Sequence, residues 1–296
     1  MKQKFDKANR ERGYIMKITL ITDSTCDIAP EVLKEKGILF APLKVLFKDQ
    51  EFIDKIDLTN EAFYKMMKEA KELPTTSQVN PGEFYELFST ELAKGNDVIG
   101  VFLSSELSGT YNSAVVAKEM LGSERIHLID SRTVSFALGL IVIQLQEAIA
   151  SGADVAQVLE IANQLTKRSQ LYGMLDTLEN LKKGGRLSSG TAMIGKMLNL
   201  KPIIEVKEGI VNMAEKARGS RKGLSWMLEQ VRGQYPEGKI SEIAIAHANN
   251  LEKLQDIKQL ILENFEVNKI YEFEIGTVVG THAGEGAIGI TYFKQN

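Results

Sequence analysis

Cysteine is almost absent from this 296-residue chain: Cys26 stands alone, so no intramolecular disulfide and no cysteine-based metal cluster can form. Histidine is nearly as scarce. His127, His247 and His282 show no HExxH-like spacing, and a zinc site is not expected. Neither charge sign dominates, with 36 Lys/Arg against 39 Asp/Glu and a net charge of −3. That balance argues against a surface built to cover nucleic acid. Long hydrophobic runs are missing too. The longest, residues 134–150, is interrupted by Gln144, Gln146 and Glu147, and a bilayer span needs ~20 apolar residues. Residues 1–15 are charged and lack the apolar stretch of a secretory signal. They read as a tail, and the protein is expected to be soluble and cytoplasmic, without an integral membrane segment.

Familiar catalytic motifs are missing as well. Neither a G-x-x-x-x-G-K-[ST] phosphate loop nor a G-x-S-x-G nucleophile elbow occurs. Gly284-Glu285-Gly286-Ala287-Ile288-Gly289 fits G-x-G-x-x-G, but that fingerprint must open a helix inside a βαβ unit. Only seven residues follow Gly289, and they start as a closing strand, so a dinucleotide site is not expected.

What the chain does have is a set of short apolar runs, each stopping in hydroxyl, glycine or acidic residues. The run at 17–22 meets Asp23-Ser24-Thr25, and 98–103 meets Ser104-Ser105-Glu106-Leu107-Ser108-Gly109-Thr110. The run at 126–129 meets Asp130-Ser131, 243–246 meets His247, and 275–279 meets Gly280-Thr281-His282. In open α/β sheets ligands bind beyond the carboxyl ends of strands, and these ends carry hydrogen-bond donors suited to an anion. Between them lie helix signals. Pro30 to Gly37 has Pro at its start and Gly at its stop, Thr59 precedes an amphipathic segment, and Asn80-Pro81-Gly82-Glu83 opens another. A long helical region, 135–165, breaks near Gly152. The alternation predicts a parallel-sheet α/β domain over 16–168, and the change of texture beyond it a mixed strand-and-helix (α+β) domain over 169–296.

Several residues have two readings. Residues 182–222 hold ten Lys/Arg against three Glu, a solvated face or a site for an acidic partner. The loop Pro74-Thr75-Thr76-Ser77-Gln78 is a turn segment or a ligand site. Ser108 is a helix cap, an anion ligand, or the nucleophile of a small hydrolase using His282. His282 is a turn residue after an apolar strand or an anion donor near neutrality. Arg218 is a surface residue or the source of a charge-assisted bond. Cys26 is a small buried residue.

In order and spacing, Thr22-Asp23-Ser24-Thr25, Thr76-Ser77-Gln78, Ser104-Ser105, Leu107-Ser108-Gly109-Thr110-Tyr111, Asp130-Ser131, Lys183-Gly184-Gly185-Arg186, Lys201-Pro202-Ile203 and Gly280-Thr281-His282 closely resemble the DegV family, including its FakB-type fatty-acid-binding members. The resemblance runs from about Lys17 to Phe293. It implies an N-terminal α/β and a C-terminal α+β domain, a fatty acid carboxylate at their junction and a buried acyl tunnel. It places the carboxylate on Thr76 and Ser108, beside Ser77, Gly109 and Thr110, with His282 and Arg218 in support. It places kinase docking on Arg186 and Lys183. Val79 and Glu285 depart from the family's pattern, and an acid at 285 would repel a carboxylate unless it points outward.

A long-chain (C14–C18) acid favours leaving water at ~0.8 kcal/mol per methylene, while its carboxylate must exchange hydration for charge-assisted bonds. The Met- and Leu-rich segment around 193–200 is a candidate for lining the tunnel. The expected protein is thus a carrier, not an enzyme. It has no metal or cofactor, holds a fatty acid, and presents it to a fatty acid kinase for phospholipid metabolism. The alternatives are a small hydrolase or phosphoryl-transfer enzyme using the same site, and a small-molecule sensor.

Overall fold

The computed structural model describes residues 17–188 and 200–295. The tail at 1–15 and nearly all of the Met- and Leu-rich segment lie outside those residues.

Among the described residues, seven strands occupy the first half: β1 (Ile18–Asp23), β2 (Leu39–Ala41), β3 (Lys44–Phe47), β4 (Gln50–Ile53), β5 (Thr75–Ser77), β6 (Asp97–Phe102) and β7 (Ile126–Asp130). They divide into a parallel sheet, β2-β1-β6-β7, and a small antiparallel one, β4-β3-β5. Six more form a mixed sheet, β10-β9-β8-β13-β11-β12. These are β8 (Ser169–Met174), β9 (Leu200–Lys207), β10 (Ile210–Arg218), β11 (Lys239–His247), β12 (Glu266–Glu274) and β13 (Ile288–Phe293). The mixed α/β class with a separate C-terminal sheet agrees with the sequence reading.

Helices start and stop where local chemistry directs. α1 (Pro30–Lys36) has Pro in its first turn and Gly37 in the left-handed conformation at its end. α2 (Asn60–Glu69) is capped by the Thr59 hydroxyl. α3 (Pro81–Ala93) opens with reciprocal bonds between Asn80 and Glu83. α4 (Thr110–Leu121) begins directly after Ser108-Gly109. The region at 135–165 splits into α5 (Phe136–Ala150) and α6 (Val155–Arg168), the latter capped by Asp154. α5 is a core helix: Phe136 to Ile143 are all buried, because the parallel sheet and the C-terminal sheet both pack against it. After α7 (Glu179–Lys183), α8 (Ser220–Gln234) and α9 (Leu251–Asn264) comes α10 (Thr277–Ala283).

Two expectations fail here. The apolar run at 275–279 leads into helix α10 and is no strand, so His282 lies on a helix and not in a turn. Its β-branched residues are overridden by tertiary contacts: Gly276 N–H donates to Asp27 and the Thr277 hydroxyl to Asp54. Likewise Thr75–Ser77 is no loop; it is a strand paired antiparallel with β3.

The C-terminal sheet has two apolar faces, sorted by the period of two. Tyr172, Met174, Ile203, Ile288 and Ile290 pack under α8 and α9 with Met227, Val231 and Ile257. Leu171, Leu175, Ile204, Val206 and Val211 face the other way and join the core of the N-terminal half. The candidate site lies on that second face.

Candidate functional site

A cavity of about 310 Å3 opens between that sheet face, α10, and the loops after β1 and β6. Its floor is aliphatic: Leu171 and Gly173 of β8 alternate with Leu175 just beyond its end, beside Ile204 and Val206 of β9. Polar groups gather in its wall, from Thr76, Ser77, Ser108, Arg186 and His282. One cavity thus offers an apolar bed and a donor-rich patch, the arrangement suited to an amphiphile with a small anionic head.

Each polar residue is held by its own element. Thr76 stands on β5 opposite Val45, with Oγ1 2.9 Å from His282 Nε2. Ser108 precedes α4; its Oγ accepts from Thr110 N–H at 3.3 Å and lies 3.0 Å from Thr110 Oγ1. Thr110 is buried behind Ser108 and does not line the cavity. Gly109 does, and a Cβ there would stand 2.1 Å from the Gln78 amide oxygen, so a larger residue would push the Gln78 side chain aside.

The two arginines change places relative to expectation. Arg218 is exposed at the end of β10 and does not line the cavity; its neighbour Ala217 is buried on the opposite face of the sheet, in the cluster under α8. Arg186, expected on a docking surface, lines the cavity instead. The chain turns back after α7, with Gly185 at φ 70 and Arg186 N–H donating to Leu181. The guanidinium then donates to the carbonyls of Leu107 (3.2 Å) and Gly184 (2.6 Å). Lys183 stays exposed and pairs with Glu179 at 2.7 Å. The two glycines are structural: Gly185 supplies the positive φ, and Gly184 lets the imidazole of His282 lie against the backbone. A Cβ on Gly184 would stand 2.3 Å from His282 Nδ1. Gly184→Ala should therefore displace His282 and destabilise the protein by about 1–3 kcal/mol. Thermal melts of the two proteins check this.

His282 is the group whose protonation matters. Burial, reinforced by the Arg186 charge, pushes its imidazole down to about 4, so the ring is neutral at pH 7. Nδ1 has no hydrogen-bond partner among the described residues. The neutral ring's contribution to stability is complete above the ordinary histidine value near 6.5. It is lost as pH falls toward 4, because there the unfolded chain binds the extra proton. A bound carboxylate would favour the charged ring and raise its pKa. With three histidines in the chain, 1H–15N spectra should show His282 titrating near 4 without ligand and higher with fatty acid. An unmoved titration would mean that no anion sits beside it.

Glu285 turns away, accepting from Asn249 Nδ2 at 2.8 Å, and does not line the cavity. Of the five run ends singled out as anion sites, those at Asp130 and His247 serve the structure: Asp130 accepts from the Ser105 hydroxyl, and His247 Nδ1 from Asn250 N–H. Beside the cavity, desolvation pushes the buried carboxyls of Asp23 and Asp27 up to about 6 and about 7. Asp27 accepts from Ser135 and Gly276, tying the start of α5 to the start of α10. Thr25, at the first of those run ends, lines the cavity, whereas sequence reasoning missed Ser135 and the aliphatic floor. The floor had a signal, since Leu171, Gly173 and Leu175 alternate; Ser135 had none.

A profile of the family described as "Uncharacterised protein, DegV family" matches residues 17–295. Protein DegV of Bacillus subtilis is 34% identical over 279 residues, covering 94% of this chain and 99% of that protein. Its solved structure, described as DegV, a fatty acid binding protein, superposes with a TM-score of 0.84 over 95% of this chain and 100% of the other. A Thermus thermophilus structure described as fatty acid binding of a DegV family protein gives 0.88 at 28% identity, over 95% and 100% of the two chains. A Ruminococcus gnavus member with vaccenic acid gives 0.85 at 28% identity, over 94% and 100%. Vaccenic acid is a fatty acid and not a metal or redox cofactor. With a match that leaves out only the first sixteen residues and the last, the chain belongs to the DegV family.

Proposed function

We propose that this protein binds one long-chain fatty acid, its carboxylate at Thr76, Ser108, His282 and Arg186 and its acyl chain along the floor from Leu175 to Leu171. The observation that carries the reading is the convergence of two hydroxyls, one imidazole and one guanidinium on the wall of an otherwise aliphatic cavity. The fatty acid binding stated for the Bacillus subtilis and Thermus relatives, and the vaccenic acid of the Ruminococcus one, support it. In this arrangement neutral His282 donates Nε2–H to Thr76, and the Thr76 hydroxyl donates its own hydrogen to the carboxylate, since a hydroxyl accepts and donates at once. Ser108 donates the second bond and Arg186 supplies the charge. His282 therefore acts through Thr76.

A carrier fits better than an enzyme. Thr76 and His282 resemble a nucleophile and base, but a working triad needs a third group to orient the imidazole. The unpartnered Nδ1 faces the Gly184 backbone. We assign presentation to a fatty acid kinase to the exposed Arg218 and Lys183, with the division between the two halves of the chain at 168/169. On this reading the protein works in the cytoplasm and hands on an acyl phosphate for phospholipid synthesis. Among the described residues no helix is long and apolar enough to cross a membrane.

Mass spectrometry of the purified, denatured protein tests the binding. A stoichiometric long-chain acid supports it; a clean protein that takes up no acid and turns over model esters favours the enzyme. For the kinase, Arg218→Glu should leave acid affinity unchanged and depress phosphorylation most at low salt, where the docking charge is least screened. Equal phosphorylation by wild type and variant would remove Arg218 from docking.

A further inference from the structure

Phe136 is 2% exposed, yet its ring belongs to the cavity wall. It occupies the place where a side chain at 289 would stand: a Cβ on Gly289 would lie 2.5 Å from its Cζ and 2.9 Å from its Cε1. Gly289 pairs directly with Gly173 across β13 and β8. A Cβ on Gly173 would meet the tip of Ile204, Cδ1, at 3.2 Å. Neither glycine has a positive φ, so both are there for space and not for backbone conformation. In a floor otherwise furnished with Leu, Ile and Val, the two bare positions side by side make a notch. The Phe136 ring and the Ile204 tip sink into it and leave the lumen open.

The backbone beneath the ring is pinned. Ser135, one residue before, has φ 63 and ψ −148, a region rarely used outside glycine. Its hydroxyl donates to Asp27. Gly139, one turn later, lies against the Cys26 carbonyl, 2.3 Å from where a Cβ would stand. The ring responds to its surroundings through its own torsions, then, and not by drift of the helix.

We propose that Phe136, seated in the Gly173–Gly289 notch, is the specificity-determining residue that sets how much bulk the acyl chain can carry. The inference rests on the fatty acid reading above and names which chains that site takes. Filling the notch lifts the ring into the lumen and favours short, straight chains. Removing the ring deepens the lumen and favours long or kinked ones.

The test loads delipidated wild type, Phe136→Ala and Gly289→Ala with an equimolar mixture of myristate, palmitate and oleate, and reads bound ratios by native mass spectrometry. Phe136→Ala should raise the oleate-to-myristate ratio roughly tenfold, and Gly289→Ala should lower it by a similar factor, the scale on which a pocket discriminates a methylene or two. Phe136→Leu keeps the core apolar and should move the ratio the same way as Phe136→Ala, which covers a failure of the alanine variant to fold. Full loading with unchanged ratios overturns this inference alone. No uptake by the wild type overturns the binding reading, and this inference with it.

Discussion

Arg186→Ala should weaken fatty acid binding by ~2–3 kcal/mol, roughly a 30- to 150-fold rise in Kd. The change removes the one guanidinium that the described residues put on the cavity wall and leaves a desolvated carboxylate without its countercharge. Arg186→Lys should recover part of the loss, because a lysine restores charge without the planar fork. The sequence alone suggested the opposite, a docking role whose loss spares affinity. Displacement of a fluorescent acid separates the two. If affinity is untouched while phosphorylation by the kinase collapses, the docking assignment returns and the geometry of the Gly184-Gly185 turn has been misjudged. His282 titration gives a second readout, since Arg186 holds the imidazole pKa down. Removing the arginine should let it rise, even without ligand.

The second large effect belongs to the hydroxyls. Thr76→Ala and Ser108→Ala should each cost about 1–3 kcal/mol of affinity. Both residues touch one carboxylate, so the double variant should depart from additivity, and that coupling is itself informative. Thr76→Ala should hurt more than Ser108→Ala, because it also strands the Nε2 of His282, whose bond runs to Thr76 Oγ1. His282→Gln keeps a side-chain N–H that can reach the Thr76 hydroxyl, so it should lose less than His282→Ala. Equal affinity in wild type and double variant, with the circular dichroism spectrum intact, would remove the head-group site.

How much of this was legible follows from range. Caps, proline starts and glycine stops act over four or five residues, which is why Asn80, Thr59 and Gly37 marked real helix ends. Hydroxyls after an apolar strand are equally local, and Ser108 and Gly109 do line the cavity. Arg218 and Arg186 could not be told apart that way. Arg218 ends β10 outside the cavity, whereas Arg186 is held in its wall by the carbonyl of Leu107, a partner far away in sequence. The run at 275–279 misled for the same reason. Its strand-like composition yields to Asp27 and Asp54, more than two hundred residues earlier, which take up Gly276 and Thr277 and start a helix. The glycines at 173 and 289 look alike in sequence, and only the pairing of β8 with β13 shows that they share one notch.

The measurement closest to the central claim is a crystal structure of the delipidated protein recombined with one equivalent of palmitate. The account predicts carboxylate oxygens at hydrogen-bond distance, about 2.5–3.0 Å, from the hydroxyls of Thr76 and Ser108, with Arg186 beside them and the tail against Leu175, Ile204 and Leu171. A palmitate lying head-first toward the sheet floor, or seated outside this cavity, would contradict it.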